Sequence, residues 1–309
     1  MDWVSGEELL ASLSMEQTVR AIQRDLLDGL DPAADLARVI DVLDHGQLLY
    51  MPSRFGEFVG AKVSTVAPQN PARGLDRIHG IYVLMDAATL VPVMMIDGRA
   101  LTALRTPAVS AAAADYLAPE RVEHLVVFGS GTQAWGHVEA MRVVRDVATV
   151  SIIAREPRRS ADLVNRLITS GQPARLGSPH DVSSADVVVC ATTARAPLFD
   201  GDTIGDDALV IAVGSHEPDA RELDATTMAR SQVVVEDPAV ALREAGDVIM
   251  AIGEDRLRGS ALVAMRDIVT GAVAVDRTRP RVFKSSGMPW EDLVAAAELY
   301  RIRQRLPHD

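Results

Sequence analysis

The chain has very little cysteine, and no run of apolar residues in it is long. Its single cysteine, Cys190, has no second thiol with which to form an internal disulfide. No apolar stretch approaches the roughly 20 residues that span a bilayer. The acidic N-terminus lacks the basic and then apolar layout of a signal peptide. Together these features predict a protein of the reducing cytoplasm without a membrane partner.

Positive charge is also scarce. The chain has 31 Lys and Arg residues against 43 Asp and Glu residues, which gives a formal net charge of −12 at pH 7. Nucleic-acid phosphates require a basic face on their partner, so we expect no nucleic-acid partner. A small anionic substrate stays compatible with this balance, because a local group of cations is enough to bind it.

Lysine is almost absent, since Lys62 and Lys284 are the only two in the sequence. In an arginine-rich chain, a position that tolerates either cation tends to be arginine. A remaining lysine therefore suggests a need for an ammonium, which is compact and loses its proton more readily than a guanidinium. Lys62 lies inside the apolar segment 59–66, where an unpaired ammonium is costly to bury. These two observations make Lys62 a candidate functional residue.

The first third of the chain has the pattern of a helical start followed by short strands and turns. Helical spacing of apolar residues within 1–30 is followed by four predicted strands, at 39–40, 47–51, 59–66 and 80–85. They predict an antiparallel or mixed sheet. The alanine-rich segment 101–117 is predicted to be helical, with Thr106 as a cap and Pro107 at a first helical position.

From His124 onwards, strands alternate with helices, which predicts a parallel sheet. The predicted strands are 124–128, 149–153, 187–190, 209–213 and 233–235, and the predicted helices are 132–145 and 160–170. A final helix, 290–305, is expected to return to the first domain. The chain shows no repeat, no low-complexity linker and no cluster that predicts a metal site.

The first strong motif begins where the strand 124–128 ends. Gly129-Ser-Gly131-Thr-Gln-Ala134 matches a dinucleotide fingerprint, with alanine at the third glycine position, where alanine is admitted. Gly129 would make the tight turn, and Gly131 would let the backbone approach the pyrophosphate. The following helix would supply N–H groups and a favourable dipole. Because the motif leaves a buried strand and opens a helix, it predicts a nucleotide site.

The end of the second strand indicates which dinucleotide binds. NAD enzymes usually place an acidic residue there to hold the ribose hydroxyls, whereas this chain has Ala154 and Arg155. Arg155, helped by Arg158 or Arg159, suits a 2′-phosphate. The prediction is NADP(H), with NAD(H) as the alternative because Glu156 follows directly. Thr192 and Thr193, at the end of a later strand, would face the same crevice.

Several separated motifs together resemble the ornithine cyclodeaminase/mu-crystallin family. They are Gly60-Ala-Lys62, Pro68-Gln-Asn70 with Gly74-Leu75, the segment 101–108, the fingerprint at 129–134, and Val282-Phe-Lys-Ser-Ser-Gly287. The resemblance runs in order over nearly the whole chain. It implies an α/β fold class, with a Rossmann-type NADP(H)-binding domain at 117–287. An α+β domain for substrate binding and dimerisation is implied at 1–116 with 288–309, as is a homodimer.

The same resemblance assigns roles to individual residues. Arg38, Lys62 and Arg105 become the cations that bind the substrate carboxylate, and Arg105 also lies near the cofactor. A planar carboxylate accepts paired bonds from arginine, which agrees with that role. The residues implied at the cofactor are Gly129, Gly131, Thr132, Gln133, Arg155, Thr192, Val213 and Ser285.

One departure from the family pattern separates two reactions. Cyclodeaminases of the family carry a catalytic aspartate after the strand 209–213 and a lysine a few residues later, whereas this chain has His216 and Ala220 there. Glu217 and Asp219 are close enough in sequence to be substitutes for the aspartate. The segment Ser215-His-Glu-Pro-Asp219 is closer to the ketimine reductase and pyrroline-2-carboxylate reductase side of the family.

The sequence therefore predicts an NADPH-dependent reductase acting on a small, cyclic imine carboxylate. Lys62 or His216 would supply the proton to the imine nitrogen, and histidine has a suitable intrinsic pKa. A loop histidine without a catalytic role is the alternative for His216. The alternative reactions are an ornithine or lysine cyclodeaminase and an amino-acid or opine dehydrogenase. A non-catalytic, NADP(H)-dependent binder of small molecules is the third hypothesis.

Overall fold

The computed structural model describes residues 2–305 and divides the chain into two compact units. The first unit is Met1–Val109 with Met288–Asp309, and the second is Ser110–Gly287. In chain order, the α-helices and strands of residues 2–305 are β1 Asp2–Val4, α1 Gly6–Ser12, α2 Met15–Leu27, β2 Val39–Leu43, β3 Gly46–Phe55, β4 Phe58–Val66, β5 Ile78–Asp86, β6 Pro92–Asp97, α3 Gly98–Leu117, β7 Val122–Phe128, α4 Thr132–Val144, β8 Val147–Ile153, α5 Pro157–Thr169, β9 Ala174–Leu176, β10 Val187–Cys190, β11 Leu209–Ala212, α6 Ala225–Arg230, β12 Gln232–Val235, α7 Pro238–Glu244, α8 Gly246–Gly253, β13 Val263–Ala264, α9 Met265–Val269, β14 Arg281–Lys284 and α10 Pro289–Arg305.

The first unit is built on a six-stranded mixed sheet in the order β1-β6-β5-β4-β3-β2. Its neighbouring strands are antiparallel, except that β1 runs parallel to β6. One face of this sheet packs against α10, which belongs to this unit although it lies at the far end of the chain.

Strand β4 shows why a lysine can be buried in this unit. Successive side chains of a strand point to opposite faces. In β4, Phe58, Gly60, Lys62, Ser64 and Val66 are the buried set, so Lys62 points to the core face with them. Its ammonium therefore needs buried partners.

The second unit is an eight-stranded, wholly parallel sheet in the order β13-β12-β14-β11-β10-β7-β8-β9. Strands β7, β10 and β11 are almost continuously apolar and buried, as expected for a parallel sheet covered on both faces. The α/β class and the parallel sheet predicted from the alternating pattern are confirmed.

The helix α3 begins earlier than the sequence suggested. Asp97 accepts hydrogen bonds from the backbone N–H groups of Arg99 and Ala100, at 2.9 and 3.1 Å, and this caps the helix at Gly98. Thr106 is thus not the cap, and Pro107 lies inside the helix. An interior proline costs about 3 kcal/mol, and burial of the apolar residues along α3 offsets this cost.

Three short strands of the second unit, β9, β13 and β14, were not predicted. Two of them, β9 and β13, lie at the edges of the sheet, but β14 lies between β11 and β12. Among residues 2–305, the structure has no helix with the length and apolar character that a membrane crossing requires.

Candidate active site and nucleotide site

The carboxyl ends of six strands lie in register at one edge of the parallel sheet. In the order of the strands across the sheet, the successive cross-strand partners are Ile153, Phe128, Cys190, Ala212, Lys284 and Val235, and each is the last residue of its strand. The residues that follow them therefore meet at the same edge. Ligands of open parallel sheets bind outside this edge. The residues that directly follow the strands are Gly129, Ala154, Ala191, Val213, Ser285 and Glu236.

The turn after β7 has the geometry that a pyrophosphate requires. Gly129 has a φ of +123°, and a Cβ there would lie 2.5 Å from the carbonyl oxygen of Ala191, so only glycine fits. A Cβ on Gly131 would meet no heavy atom within 4 Å, which leaves open space above the turn. Gly131 is the N-cap of α4 and has no side chain to satisfy the first N–H groups of the helix. These features fit a bound phosphate group.

Thr132 and Gln133 are the first two residues of α4, and a buried histidine holds this turn in place. The ring of His137 lies 2.8 Å from the carbonyl oxygen of Gln133 through Nδ1 and 2.9 Å from Ser110 Oγ through Nε2. Burial lowers the pKa of His137 to about 4, so the ring is neutral at physiological pH. No motif in the sequence indicates this role for His137.

Arg155 follows β8 at the same edge and is exposed. Its Nη2 lies 3.5 Å from Thr193 Oγ1, in the loop after β10. The neighbouring acid, Glu156, lies 3.5 Å from Arg159 Nε, and both side chains are exposed. Arg155 is therefore a cation beside the second hydroxyl of the Thr192-Thr193 pair.

Two buried carboxylates hold the loops that carry the remaining predicted cofactor residues. Glu222 accepts hydrogen bonds from Thr192 N, Thr192 Oγ1 and Gly214 N at 2.7–2.8 Å, and so it joins the loops after β10 and β11. Glu236 accepts from Ser285 Oγ at 2.6 Å and from the next two backbone N–H groups. Both hydroxyls therefore donate to protein acceptors. The oxygen of Thr192 also accepts from Ala194 N at 3.0 Å, whereas that of Ser285 keeps acceptor capacity for a ligand.

Lys284, the second of the two lysines, lies beneath these loops and is fully buried. Its Nζ donates to the carbonyl oxygen of Ser215 at 2.6 Å and lies 3.1 Å from Asp247 Oδ2. Asp247 in turn accepts from the N–H groups of Glu222 and Leu223. Burial raises the pKa of Glu222, and the positive charge of Lys284 opposes that shift. These acids were not identified from the sequence.

The loop that carries His216 also contains the two acids that are candidates to replace the missing aspartate. Arg195 donates to Glu217 at 2.6 Å and also to Asp219, so both acids share one exposed guanidinium. Ala220, at the position where the family resemblance places a lysine, is buried. His216 itself is half-buried in this loop.

In the first unit, Lys62 and Arg105 meet at one aspartate. Lys62 Nζ lies 2.7 Å from Asp292 Oδ2 and donates to Asp292 Oδ1 at 3.0 Å. Arg105 Nε donates to the same Oδ1 at 3.2 Å, and Arg105 Nη1 is bound to Glu291. All four side chains are almost fully buried. Burial, with Arg105 adding to its effect, lowers the pKa of Lys62 to about 8, although Asp292 opposes the shift.

Of the predicted substrate cations, the structure thus brings Lys62 and Arg105 together. Arg38 belongs to the same unit and lies half-buried in the segment before β2. Glu291 and Asp292 were missed in the sequence. Their signal was the acidic pair directly after Trp290, in the first turn of α10, where the helix dipole stabilises carboxylates.

Comparison with known proteins identifies the family of this chain. The model of the ornithine cyclodeaminase/mu-crystallin family matches residues 6–305. The chain belongs to this family. It is 31% identical over 261 residues to a Delta(1)-pyrroline-2-carboxylate reductase of Colwellia psychrerythraea, which covers 82% of this chain and 83% of the relative.

Two further relatives of the family are informative. A Delta(1)-pyrroline-2-carboxylate/Delta(1)-piperideine-2-carboxylate reductase of Azospirillum brasilense is 33% identical over 263 residues, covering 83% of this chain and 81% of the relative. The structure of Thermococcus litoralis Delta(1)-pyrroline-2-carboxylate reductase, in complex with NADH and L-proline, superimposes with a TM-score of 0.92. It is 27% identical, and the match covers 98% of both chains. This chain is therefore an oxidoreductase that uses a nicotinamide dinucleotide.

Proposed function

We propose that this family member reduces the C=N bond of a small cyclic imine carboxylate to the corresponding cyclic amino acid, with NADPH as the preferred cofactor. The observation that carries the proposal is the buried pair of cations, Lys62 and Arg105, held on one aspartate. The names of the relatives support the choice of substrate class, because they include reductases for five-membered and six-membered cyclic imines.

In this proposal, the first unit binds the substrate. Arg38 and Arg105 bind the carboxylate, and their planar guanidinium groups fix its orientation. The dinucleotide supplies a hydride to the imine carbon, which is the chemistry of the cofactor itself. Lys62 supplies the proton to the imine nitrogen, so that one hydride and one proton convert C=N to CH–NH. Its lowered pKa suits an acid that works near neutral pH.

The preference for NADPH rests on the end of β8. The strand is followed by Ala154 and Arg155, where an NAD-specific site has an acidic residue. Its exposed guanidinium is available to a 2′-phosphate, and the nearby Glu156 is paired with Arg159. NADH is the alternative cofactor, and the structure of the relative from Thermococcus litoralis is a complex with it.

The structure gives no support to the cyclodeaminase alternative. That reaction needs a carboxylate to bind the distal amine of a diamine, and both candidate substitutes, Glu217 and Asp219, are bound to Arg195. Catalysis by a dehydrogenase of the same family would show net cofactor turnover with an open-chain amino acid. A non-catalytic binder would bind the dinucleotide without consuming it.

The test follows NADPH absorbance with the purified protein and either pyrroline-2-carboxylate or piperideine-2-carboxylate. We expect rapid oxidation of NADPH with at least one imine, slower oxidation of NADH, and no ammonia from L-ornithine. Release of ammonia and proline from L-ornithine without imine reduction would instead establish a cyclodeaminase. Binding of NADPH without turnover of either imine would also contradict the proposal.

We further propose a homodimer that forms through the outward face of the first unit's sheet. Val39, Tyr50, Val63 and Ile81 are successive cross-strand partners on that face, and each is 38–52% exposed. A continuous apolar row of this kind marks an interaction surface, and a self-complementary patch is the usual basis of a two-fold dimer. The single buried cysteine is compatible with a cytoplasmic location, which we propose as well.

Light scattering of the purified protein tests the dimer. We expect the mass of two chains for the wild type and of one chain for Val63→Glu. Ile168→Glu is the control, because Ile168 is also an exposed apolar residue but belongs to α5 in the other unit. It should leave the mass unchanged. A wild-type mass of one chain would contradict the proposal.

A further inference from the structure

The ammonium of Lys62 has a well-defined set of acceptors. It contacts both carboxyl oxygens of Asp292, at 2.7 and 3.0 Å, and donates to Thr102 Oγ1 at 3.2 Å. The Thr102 hydroxyl donates to the carbonyl oxygen of Gly98, so its oxygen is the acceptor for the lysine. Two N–H bonds of the ammonium are thus directed by side chains from α10 and α3.

Asp292 also connects the lysine to the neighbouring arginine. Its Oδ1 accepts from Lys62 and from Arg105 Nε, while Glu291 binds Arg105 at Nη1. The two acids are consecutive residues, but only Asp292 contacts both cations. Glu291 is anchored separately, since it accepts from Met288 N at 2.7 Å. The pair therefore offers two carboxylates of equal charge with different contacts to Lys62.

Burial makes these contacts decisive for the charge of the lysine. Lys62 is 3% exposed and Asp292 is fully buried. A buried ammonium without a counter-charge prefers to lose its proton. The charged or titratable groups that face Lys62 are Arg105 from α3, Glu291 and Asp292 from α10, and Tyr82, its cross-strand neighbour on β5. Tyr82 is neutral, because burial raises the pKa of its hydroxyl well above the usual value.

We infer that Asp292 is a positioning residue that keeps Lys62 protonated and oriented for proton donation to the substrate. This inference rests on the proposed function, in which Lys62 is the proton donor. Asp292 acts through Lys62 and Arg105 and forms no bond to the substrate. Asp292 lies at the start of the last helix, so the proton donor and the residue that positions it are 230 positions apart in the sequence.

Lysine NMR tests this without any assay of activity. Because the chain has only Lys62 and Lys284, protein labelled at the lysine side chains gives two signals, and the Lys62→Met variant identifies which one belongs to Lys62. In the wild type we expect a titration midpoint near pH 8 for Lys62. In Asp292→Asn the midpoint should fall by about 1–3 pH units. In Glu291→Gln, the matched control with the same change of charge, it should fall by less.

The pH dependence of kcat/KM for imine reduction gives the second measurement. Since the protonated lysine is the acid, kcat/KM decreases as pH rises through the Lys62 midpoint. This alkaline limb should move to lower pH in Asp292→Asn by the same amount as the NMR midpoint. A purely structural role would lower activity at every pH without moving the limb.

Clear outcomes overturn the inference. It fails if Asp292→Asn leaves the Lys62 midpoint at its wild-type value, if Glu291→Gln shifts it equally, or if the midpoint moves while the kinetic limb does not. If Asp292→Asn does not fold, Thr102→Val replaces it, because it removes one acceptor at constant size and should shift the midpoint in the same direction. A wild type that reduces no imine would overturn the proposed function, whereas the lysine titration would still decide the coupling.

Discussion

Replacing Lys62 with methionine is expected to lower kcat/KM for imine reduction by about 10²–10⁴-fold, the usual contribution of a positioned acid. Methionine has a similar length and no charge, so it fills the space in β4 but has no proton to give. Asp292 keeps its hydrogen bond from Arg105, which limits the loss of stability. Because the glycine turn and Arg155 belong to the other unit and Arg105 keeps its bond to Asp292, the Kd for NADPH should stay at its wild-type value.

Steady-state kinetics over a pH range measures this effect. The wild-type kcat/KM should fall above about pH 8, where Lys62 loses its proton, and this limb should be absent in Lys62→Met. His216→Ala is the parallel variant, since His216 is the other candidate donor. If His216→Ala loses turnover and Lys62→Met retains it, the proton comes from the histidine and Lys62 is not the donor.

Replacing Arg155 with serine is expected to reverse the preference for NADPH. A hydrogen bond to a charged group contributes about 1.5–3 kcal/mol, which corresponds to roughly 10–100-fold in kcat/KM for NADPH. The value for NADH should stay close to that of the wild type, because NADH lacks the 2′-phosphate that Arg155 would bind. The expected change therefore lies in the ratio of the two cofactors.

The measurement is kcat/KM with each cofactor at a saturating concentration of imine. Arg158→Ser is the matched control, since Arg158 is an exposed arginine of the same segment and carries the same charge. A loss of equal size in Arg158→Ser would mean that NADPH is attracted by the net charge of the segment. Equal values for NADPH and NADH in the wild type would remove the basis for the preference.

Most of the second unit could be predicted from local sequence. Strands such as β7, β10 and β11 are short apolar runs, and their burial on both faces in a parallel sheet is what such runs favour. Strand β14 was missed although it lies inside the sheet, because its sequence, Arg281-Val-Phe-Lys284, has a cation at each end. Both cations are buried and bound by acids from distant segments, which no local pattern indicates.

The error in α3 has a similar origin. A threonine followed by proline is a common start of a helix, so the sequence predicts a cap at Thr106. Asp97, nine residues earlier than Thr106, already caps the helix. Local rules rank such alternatives by propensity. Burial of the residues between Asp97 and Thr106 decides which of the two caps the helix uses, and burial depends on tertiary packing.

The site shows the same division. The glycine turn could be predicted because its chemistry is local: Gly129 needs a positive φ, and Gly131 leaves the backbone accessible within a few residues. The scarcity of lysine also identified Lys62 correctly as an unusual residue. The carboxylate that decides its charge was not predicted, because Asp292 is 230 positions away and comes close only when α10 packs on β4.

The sequence by itself thus determined the α/β class, the glycine turn after β7 and the family, and it singled out Lys62 as an unusual residue. These depend on the period of apolar residues and on motifs read within one short segment. Only the tertiary structure decided which buried acids accompany the cations: Asp292 with Lys62 and Arg105, and Asp247 with Lys284. The physical reason is that the stability of a buried charge depends on groups within a few ångströms in space, and the chain brings those groups together from positions that are far apart in sequence.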